Sequence, residues 1–146
     1  MKKCFLMGHR DADSSLKTKL SAEIERHISE LSVTEFLVGT HGAFDRLAAA
    51  ALGEAKQCHP EVMMTLLLAY LPTKGKIELP PGFDGSLYPP NMENTPKRYA
   101  IVRANQYALG ICQYMIAYAW QPGSNTLRMA ETAQKKGLAV SYILIL

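Results

Sequence analysis

The stretch from Val62 to Tyr70 is apolar at every position except Thr65. A strand with one wet face alternates apolar and polar residues, whereas a continuous apolar run suits a strand covered on both faces. Such strands occupy parallel sheets with helices on either side. Parallel neighbours need crossover connections, usually helical, so this segment constrains the fold more than any other.

The flanking sequence supplies those crossovers. Lys3 to Met7 is a short apolar run that stops at Gly8. From Ser14 to Leu31, Leu16, Leu20, Ile24, Ile28 and Leu31 recur on one helical face, with Lys17, Glu23, Glu25 and Arg26 off it and Asp13 or Ser14 placed to cap. Glu35 to Val38 is a second strand, stopped by Gly39. Ala43 to Gln57 carries a stripe of Phe44, Leu47, Ala48, Ala51, Leu52 and Ala55 that suits close packing on a sheet. Thr95-Pro96 reads as N-cap and first helical residue of a helix to Leu109, with Gly110 as its C-cap. Tyr114 to Trp120 is a fourth strand. Leu127, Ala130 and Ala133 mark a helix closed by Lys135, Lys136 and Gly137, and Leu138 to Leu146 is a fifth strand. Strand and helix thus alternate, which predicts an α/β, Rossmann-like three-layer sandwich with an open parallel sheet of about five strands. Residues 1–146 are expected to form one domain, since a chain of this length buries about 68–70% of its unfolded surface. Pro72 to Thr95, rich in proline and glycine, breaks the pattern and reads as an insertion or lid.

Composition narrows the function classes. Sixteen basic residues against 13 acidic give a net charge of +3, and the densest basic runs are two residues long. That balance makes nucleic acid an unexpected partner. The three cysteines, Cys4, Cys58 and Cys112, form no C-x-x-C pair and read as reduced thiols. No apolar stretch approaches the roughly 20 residues of a membrane span, and the N-terminal one is too short for a signal peptide. A cytoplasmic protein with no membrane partner is expected. Apolar helix faces leave room for a homodimer.

Open parallel sheets bind ligands at the carboxyl ends of their strands, near the point where strand order reverses. Three loops leave those ends and precede helices: Gly8-His9-Arg10-Asp11, Gly39-Thr40-His41-Gly42-Ala43-Phe44-Asp45, and Gln121 to Thr126. Glycine lets backbone N–H groups approach a ligand, and helix N-termini favour anions. Gly8, His9, Arg10, Gly39, Thr40, His41, Gly42, Gly123, Ser124, Asn125 and Thr126 are therefore candidate ligand contacts, although every such loop also needs a turn residue. Asp45 either compensates a helix dipole or binds a ribose hydroxyl while orienting the turn before it. Arg103 and Asn105, in the helix before the fourth strand, are further candidates; Arg103 suits a solvated face equally well. Trp120 reads most simply as core, with stacking on a base as the other use. No P-loop, G-x-G-x-x-G, G-x-S-x-G or H-E-x-x-H motif occurs, and His9, Asp11 and Asp13 make a poor metal set because Asp13 suits a helix cap. No metal and no cofactor is expected.

The segments Phe5-Leu6-Met7-Gly8-His9-Arg10, Gly39 to Ala48 and Pro122 to Thr126 together resemble the SLOG superfamily, which joins Smf/DprA to the LOG phosphoribohydrolases. The Gly-His-Arg is most similar to the YpsA-like branch of bacterial and phage proteins. The resemblance spans nearly the whole chain except Pro72 to Thr95. It implies a Rossmann-like fold and a site for a nucleotide or nucleotide derivative, with contacts from Gly8, His9, Arg10, Thr40, Gly42, Asp45 and the Gly123–Thr126 loop; the leading expectation is a small nucleotide-binding protein that acts as a sensor. LOG enzymes place a catalytic glutamate two or three residues after this last turn; here Arg128 and Met129 follow Thr126 and the nearest carboxylate is Glu131. Phosphoribohydrolase or N-glycosidase chemistry on a nucleoside monophosphate would fall to Asp45 or Glu131, with Asp11 the remaining carboxylate near the loops. The superfamily also implies a DprA-like single-stranded DNA alternative, which the scattered basic residues do not favour.

Overall fold

The computed structural model describes residues 2–71 and 77–144. The order is β1 (Lys2–Gly8), α1 (Lys17–Ser29), β2 (Val33–Val38), α2 (Ala43–Cys58), β3 (Met63–Leu67), β4 (Gly85–Leu87), α3 (Ala100–Ile111), β5 (Tyr114–Tyr118), α4 (Asn125–Lys135) and β6 (Ala139–Tyr142). The strands form one sheet in the order β4-β3-β2-β1-β5-β6, and every pairing is parallel. This is the expected α/β, Rossmann-like arrangement with six strands, one more than the sequence pattern suggests. From β1 the chain steps outward through β2, β3 and β4, then returns to place β5 on the other side of β1. Strand order therefore reverses between β1 and β5, where a ligand crevice belongs.

Two apolar layers cover the sheet. On one face Leu16, Leu20 and Ile24 of the α1 segment and Phe44, Ala48 and Leu52 of α2 pack against Cys4, Leu6, Phe36, Val38 and Met64. On the other, Ala100, Ala104 and Ala108 of α3 and Met129, Ala130 and Ala133 of α4 pack against Phe5, Leu37, Leu67 and Met115. The alanines stand four apart, one helical turn, so α3 lies close to the strands. Each fully buried Leu, Ile or Phe contributes about 1.5–3 kcal/mol relative to exposure. Thr65, the polar interruption of the apolar run, is buried but satisfied: its Oγ1 donates to Glu35 Oε2 at 2.7 Å.

Several local expectations shift. The sixth strand, β4, lies within Pro72–Thr95. It adds to the sheet edge through Leu68 N–H donating to Leu87 O at 2.9 Å, and Asp84 Oδ2 accepts from Met64 N–H at 2.8 Å. The described part of that segment is thus partly sheet; the lid reading for 72–76 lies outside the described residues. α3 starts at Ala100, four residues later than expected. Pro96 has ψ 139°, an extended value, so a 3₁₀ turn (Lys97–Tyr99) intervenes and Thr95 Oγ1 caps nothing. Gly110 lies inside α3, and Cys112 N–H donates to Ala108 O at 3.1 Å to end it. β5 ends at Tyr118, which leaves Trp120 49% exposed rather than in the core. Asp13 is the cap before α1, its carboxylate accepting from Ser15 N–H at 2.9 Å. Cys4 and Cys112 are buried free thiols, whereas Cys58 is exposed. Among the described residues no helix is long and apolar enough to cross a membrane.

Candidate functional site

The loops at the reversal point are braced against one another. β1 ends at Gly8, paired with Tyr118 at the end of β5. A Cβ on Gly8 would lie 2.4 Å from Phe44 Cγ, so only glycine lets α2 pack this near the strand end. The next residue, His9, is 6% exposed. Its Nε2 accepts from the backbone N–H of Trp120 at 2.9 Å and of Gln121 at 3.2 Å. Both partners are donors, so the ring proton sits on Nδ1 and the imidazole is neutral. Burial lowers the His9 pKa, against the opposing charge of Asp11. The ring also meets Tyr118 and Trp120 edge-on, with centroids at 5.4 and 5.5 Å. The following residue ties down α2: Ala43 N–H donates to Arg10 O at 3.0 Å. Gly42 precedes it with φ 117°, and a Cβ there would come within 2.9 Å of Arg10 Cα, so this turn also demands glycine.

A cleft of about 130 Å³ opens above these loops. One side is polar and formed by Arg10, Gly39, His41 and Asp45; the other is built from α3 and α4, which contribute Ile101, Val102, Asn105, Asn125, Thr126 and Met129. Phe5, Leu6, Met7 and Gly8 of β1 form its floor. Asp45 stands in the first turn of α2, and its Oδ2 accepts from His41 N–H at 2.8 Å. The carboxylate thus orients the turn through Oδ2, and the residue lines the cleft. Desolvation raises its pKa, opposed by the His41 hydrogen bond and the Arg10 charge. Burial lowers the His41 pKa, with Asp45 opposing, so that imidazole is held neutral near pH 7. Arg10 is exposed and forms no ion pair among the described residues. Opposite it, Ser124 caps α4, Oγ accepting from Leu127 N–H at 3.1 Å and donating to Gln121 O at 2.8 Å. The first-turn N–H groups of Asn125 and Thr126 have no intrahelical partner, which suits an anion.

Of the candidate contacts, Gly8, Arg10, Gly39, His41, Asp45, Asn105, Asn125 and Thr126 line this cleft. The others do not. His9 and Gly42 shape it from behind, and Ser124 acts as a helix cap. Gly123 turns the chain at φ 74° while its carbonyl accepts from Arg128 Nη2 at 3.0 Å. Thr40 borders a separate shallow depression with Leu66 and Leu71. Arg103 borders another, with Pro89 and Tyr107. Glu131 is exposed on α4 beyond the cleft, so Asp45 is the carboxylate that lines it. Met7, Ile101, Val102 and Met129 were not singled out from sequence. Their apolar character is that of core residues, and only the half-buried state of the first three separates them. Among the described residues no cluster of His, Cys, Asp and Glu could hold a metal ion.

Comparison with known protein families finds no match, and comparison with curated proteins finds none either. Among solved structures, the chain is similar to DNA processing protein A (DprA) from Streptococcus pneumoniae, with a TM-score of 0.68 and 18% identity. The match covers 97% of this chain and 50% of that one, so the chain spans half the length of its structural neighbour. At this identity the likeness shows a shared fold.

Proposed function

We propose that the cleft binds a nucleotide or nucleotide-derived small molecule at the carboxyl edge of the sheet, as the site of a sensor. The observation that carries this reading is the meeting, at the reversal point, of Arg10, the α4 N-terminus and a desolvated Asp45; among the described residues Arg10 forms no ion pair and only Oδ2 of Asp45 accepts a hydrogen bond. A phosphate fits Arg10 with the Asn125 and Thr126 N–H groups; ribose hydroxyls fit Asp45. Membership of the SLOG superfamily, in its YpsA-like branch, is part of the proposal, supported by the loop order and the fold shared with DprA. The free buried thiols Cys4 and Cys112 support a reducing, cytoplasmic setting. Thermal denaturation with AMP, GMP and ADP-ribose tests the proposal. Ligand at 100 times its dissociation constant adds about 2.7 kcal/mol, roughly 5–11 °C for a chain of this size. No shift with any of the three contradicts it.

A second reading has a specific observation in its favour. Asp45 is the carboxylate that lines the cleft, and burial raises its pKa, the direction a general acid needs; the second reading is hydrolysis of an N-glycosidic bond there. Release of free base from AMP that disappears in Asp45→Asn supports hydrolysis; intact AMP after long incubation returns the site to binding alone. The fold likeness to a DNA processing protein keeps single-stranded DNA as the remaining alternative, and salt-dependent retention of an oligonucleotide would favour it.

A further inference from the structure

The geometry points to an interface between two copies of this chain, formed by their β6 strands pairing edge to edge about a twofold axis at Ser141. The interface lies away from the cleft and does not depend on the nucleotide reading. An open sheet has two edges, and exposed edges are ordinarily blunted by shortness, charge or proline. The β4 edge is blunted: the strand has three residues, with Asp84 before it and Pro89-Pro90 after it. The β6 edge is not. Leu138 to Leu144 holds neither a charged residue nor a proline, and among the described residues no strand lies beyond it. Tyr142 is 37% and Leu144 45% exposed. The nearby charges of α1 are engaged. Lys19 Nζ donates to Leu144 O at 2.6 Å, and Arg26 Nη2 donates to Ser141 Oγ at 3.0 Å while paired with Glu23.

Backbone groups fix the register. Ala139 N–H donates to Gln113 O at 3.1 Å and Ile143 N–H to Ala117 O at 2.8 Å, so these alternate residues face β5. Val140 and Tyr142 therefore turn N–H and C=O outward. With Leu144 O taken by Lys19, these two residues are the free edge. A second copy running antiparallel and centred on Ser141 sets Val140 of each copy against Tyr142 of the other. Each of the two pairs exchanges both of its hydrogen bonds. Val140 and Tyr142 share the α4 side of the sheet, where Val140 packs on the core and Tyr142 Oη donates to Gln134 Oε1 at 2.9 Å. Each pair thus joins an aromatic ring to a β-branched side chain, a favourable cross-strand combination. At the axis the two serines meet as the closer, non-hydrogen-bonded pair, with Cα atoms about 4.5 Å apart, which suits a small side chain. The edge complements itself and carries no charge that would select a foreign strand.

Sedimentation velocity of the wild-type chain at rising concentration tests the inference, together with amide hydrogen exchange read by NMR in dilute and concentrated solution. Wild type is expected to approach twice the chain mass at millimolar concentration and not to exceed it. The Val140 and Tyr142 amides are expected to exchange about tenfold or more slowly there than in dilute solution. Val140→Pro removes one outward N–H and leaves the bonds to β5 intact, and proline is accepted on an edge strand. Tyr142→Lys places a charge at the pair. Both variants are expected to stay monomeric with the circular dichroism of wild type. If either variant unfolds, the other and the wild-type exchange rates decide. A wild type that stays monomeric at millimolar concentration overturns the inference. So does a dimer that persists in a folded Val140→Pro or Tyr142→Lys, or one whose Val140 and Tyr142 amides exchange as fast as in the monomer. A mass that grows past two copies overturns the twofold pairing as well.

Discussion

Replacing His9 with alanine removes the brace between the β1 and β5 loops. Two backbone N–H groups, of Trp120 and Gln121, lose their acceptor at once. An abandoned donor costs about 1–3 kcal/mol when buried. Trp120 is exposed and Gln121 half-buried, so water reaches both and the lower end applies, about 1 kcal/mol each. The lost edge-on contacts with Tyr118 and the exposed Trp120 are taken at the low end and together add about 0.5–1.5 kcal/mol. The sum is about 2.5–3.5 kcal/mol, and at roughly 2–4 °C per kcal/mol the melting temperature falls by about 5–14 °C. The same loops carry Arg10 and lead into the α4 N-terminus, both of which line the cleft, so under the nucleotide proposal AMP affinity is expected to fall with stability. Urea denaturation of wild type, His9→Ala and His9→Gln, whose amide oxygen restores one acceptor, measures the effect. A destabilisation below about 0.5 kcal/mol in His9→Ala would refute the bracing role, because it is less than one typical hydrogen bond contributes and His9 accepts two.

Other consequences follow from the same geometry. Gly8→Ala forces a methyl onto the buried Phe44 ring and should cost about 1–3 kcal/mol or more, read by the same denaturation. Asp45→Asn should stabilise the unliganded chain at pH 7, since burial disfavours the charge and asparagine still accepts from His41 N–H, while weakening AMP binding in calorimetry. His9, His27 and His41 all have pKa values lowered first of all by burial. The unfolded chain therefore takes up protons more readily, so their contribution is complete above about pH 6.5 and is lost as pH falls below it. Asp45, raised, acts in the opposite sense and gains as pH falls. Melting temperatures between pH 7.5 and 5.5 should decline in wild type, and decline less in His27→Gln, which removes the most buried of the three imidazoles.

The parallel sheet was legible because burial on both faces leaves its mark directly on composition: Val62 to Leu67 admits one polar residue, and that residue has a partner. β4 was not, because Gly85-Ser86-Leu87 has no pattern of its own and exists only by pairing with β3. The α3 start was misplaced because Thr-Pro is a local signature, whereas the extended ψ at Pro96 sets a 3₁₀ turn before the helix. Part of the site was legible through glycine: Gly8 sits where the Phe44 ring leaves no room for a side chain, and Gly42 where the Arg10 backbone and side-chain stem leave none. The rest was not, for two opposite reasons. Ile101, Val102 and Met129 look like core in any sequence. His9 and Ser124 look like ligand contacts, yet their polar atoms are consumed by backbone groups that only folding brings near.

The most direct measurement is a backbone amide NMR titration with AMP. Binding in the cleft predicts shifts concentrated at Gly8, Arg10, His41, Asp45, Asn105, Asn125 and Thr126, with β4 and β6 unmoved. An unchanged spectrum at millimolar AMP, or shifts confined to the sheet edges, would contradict the account.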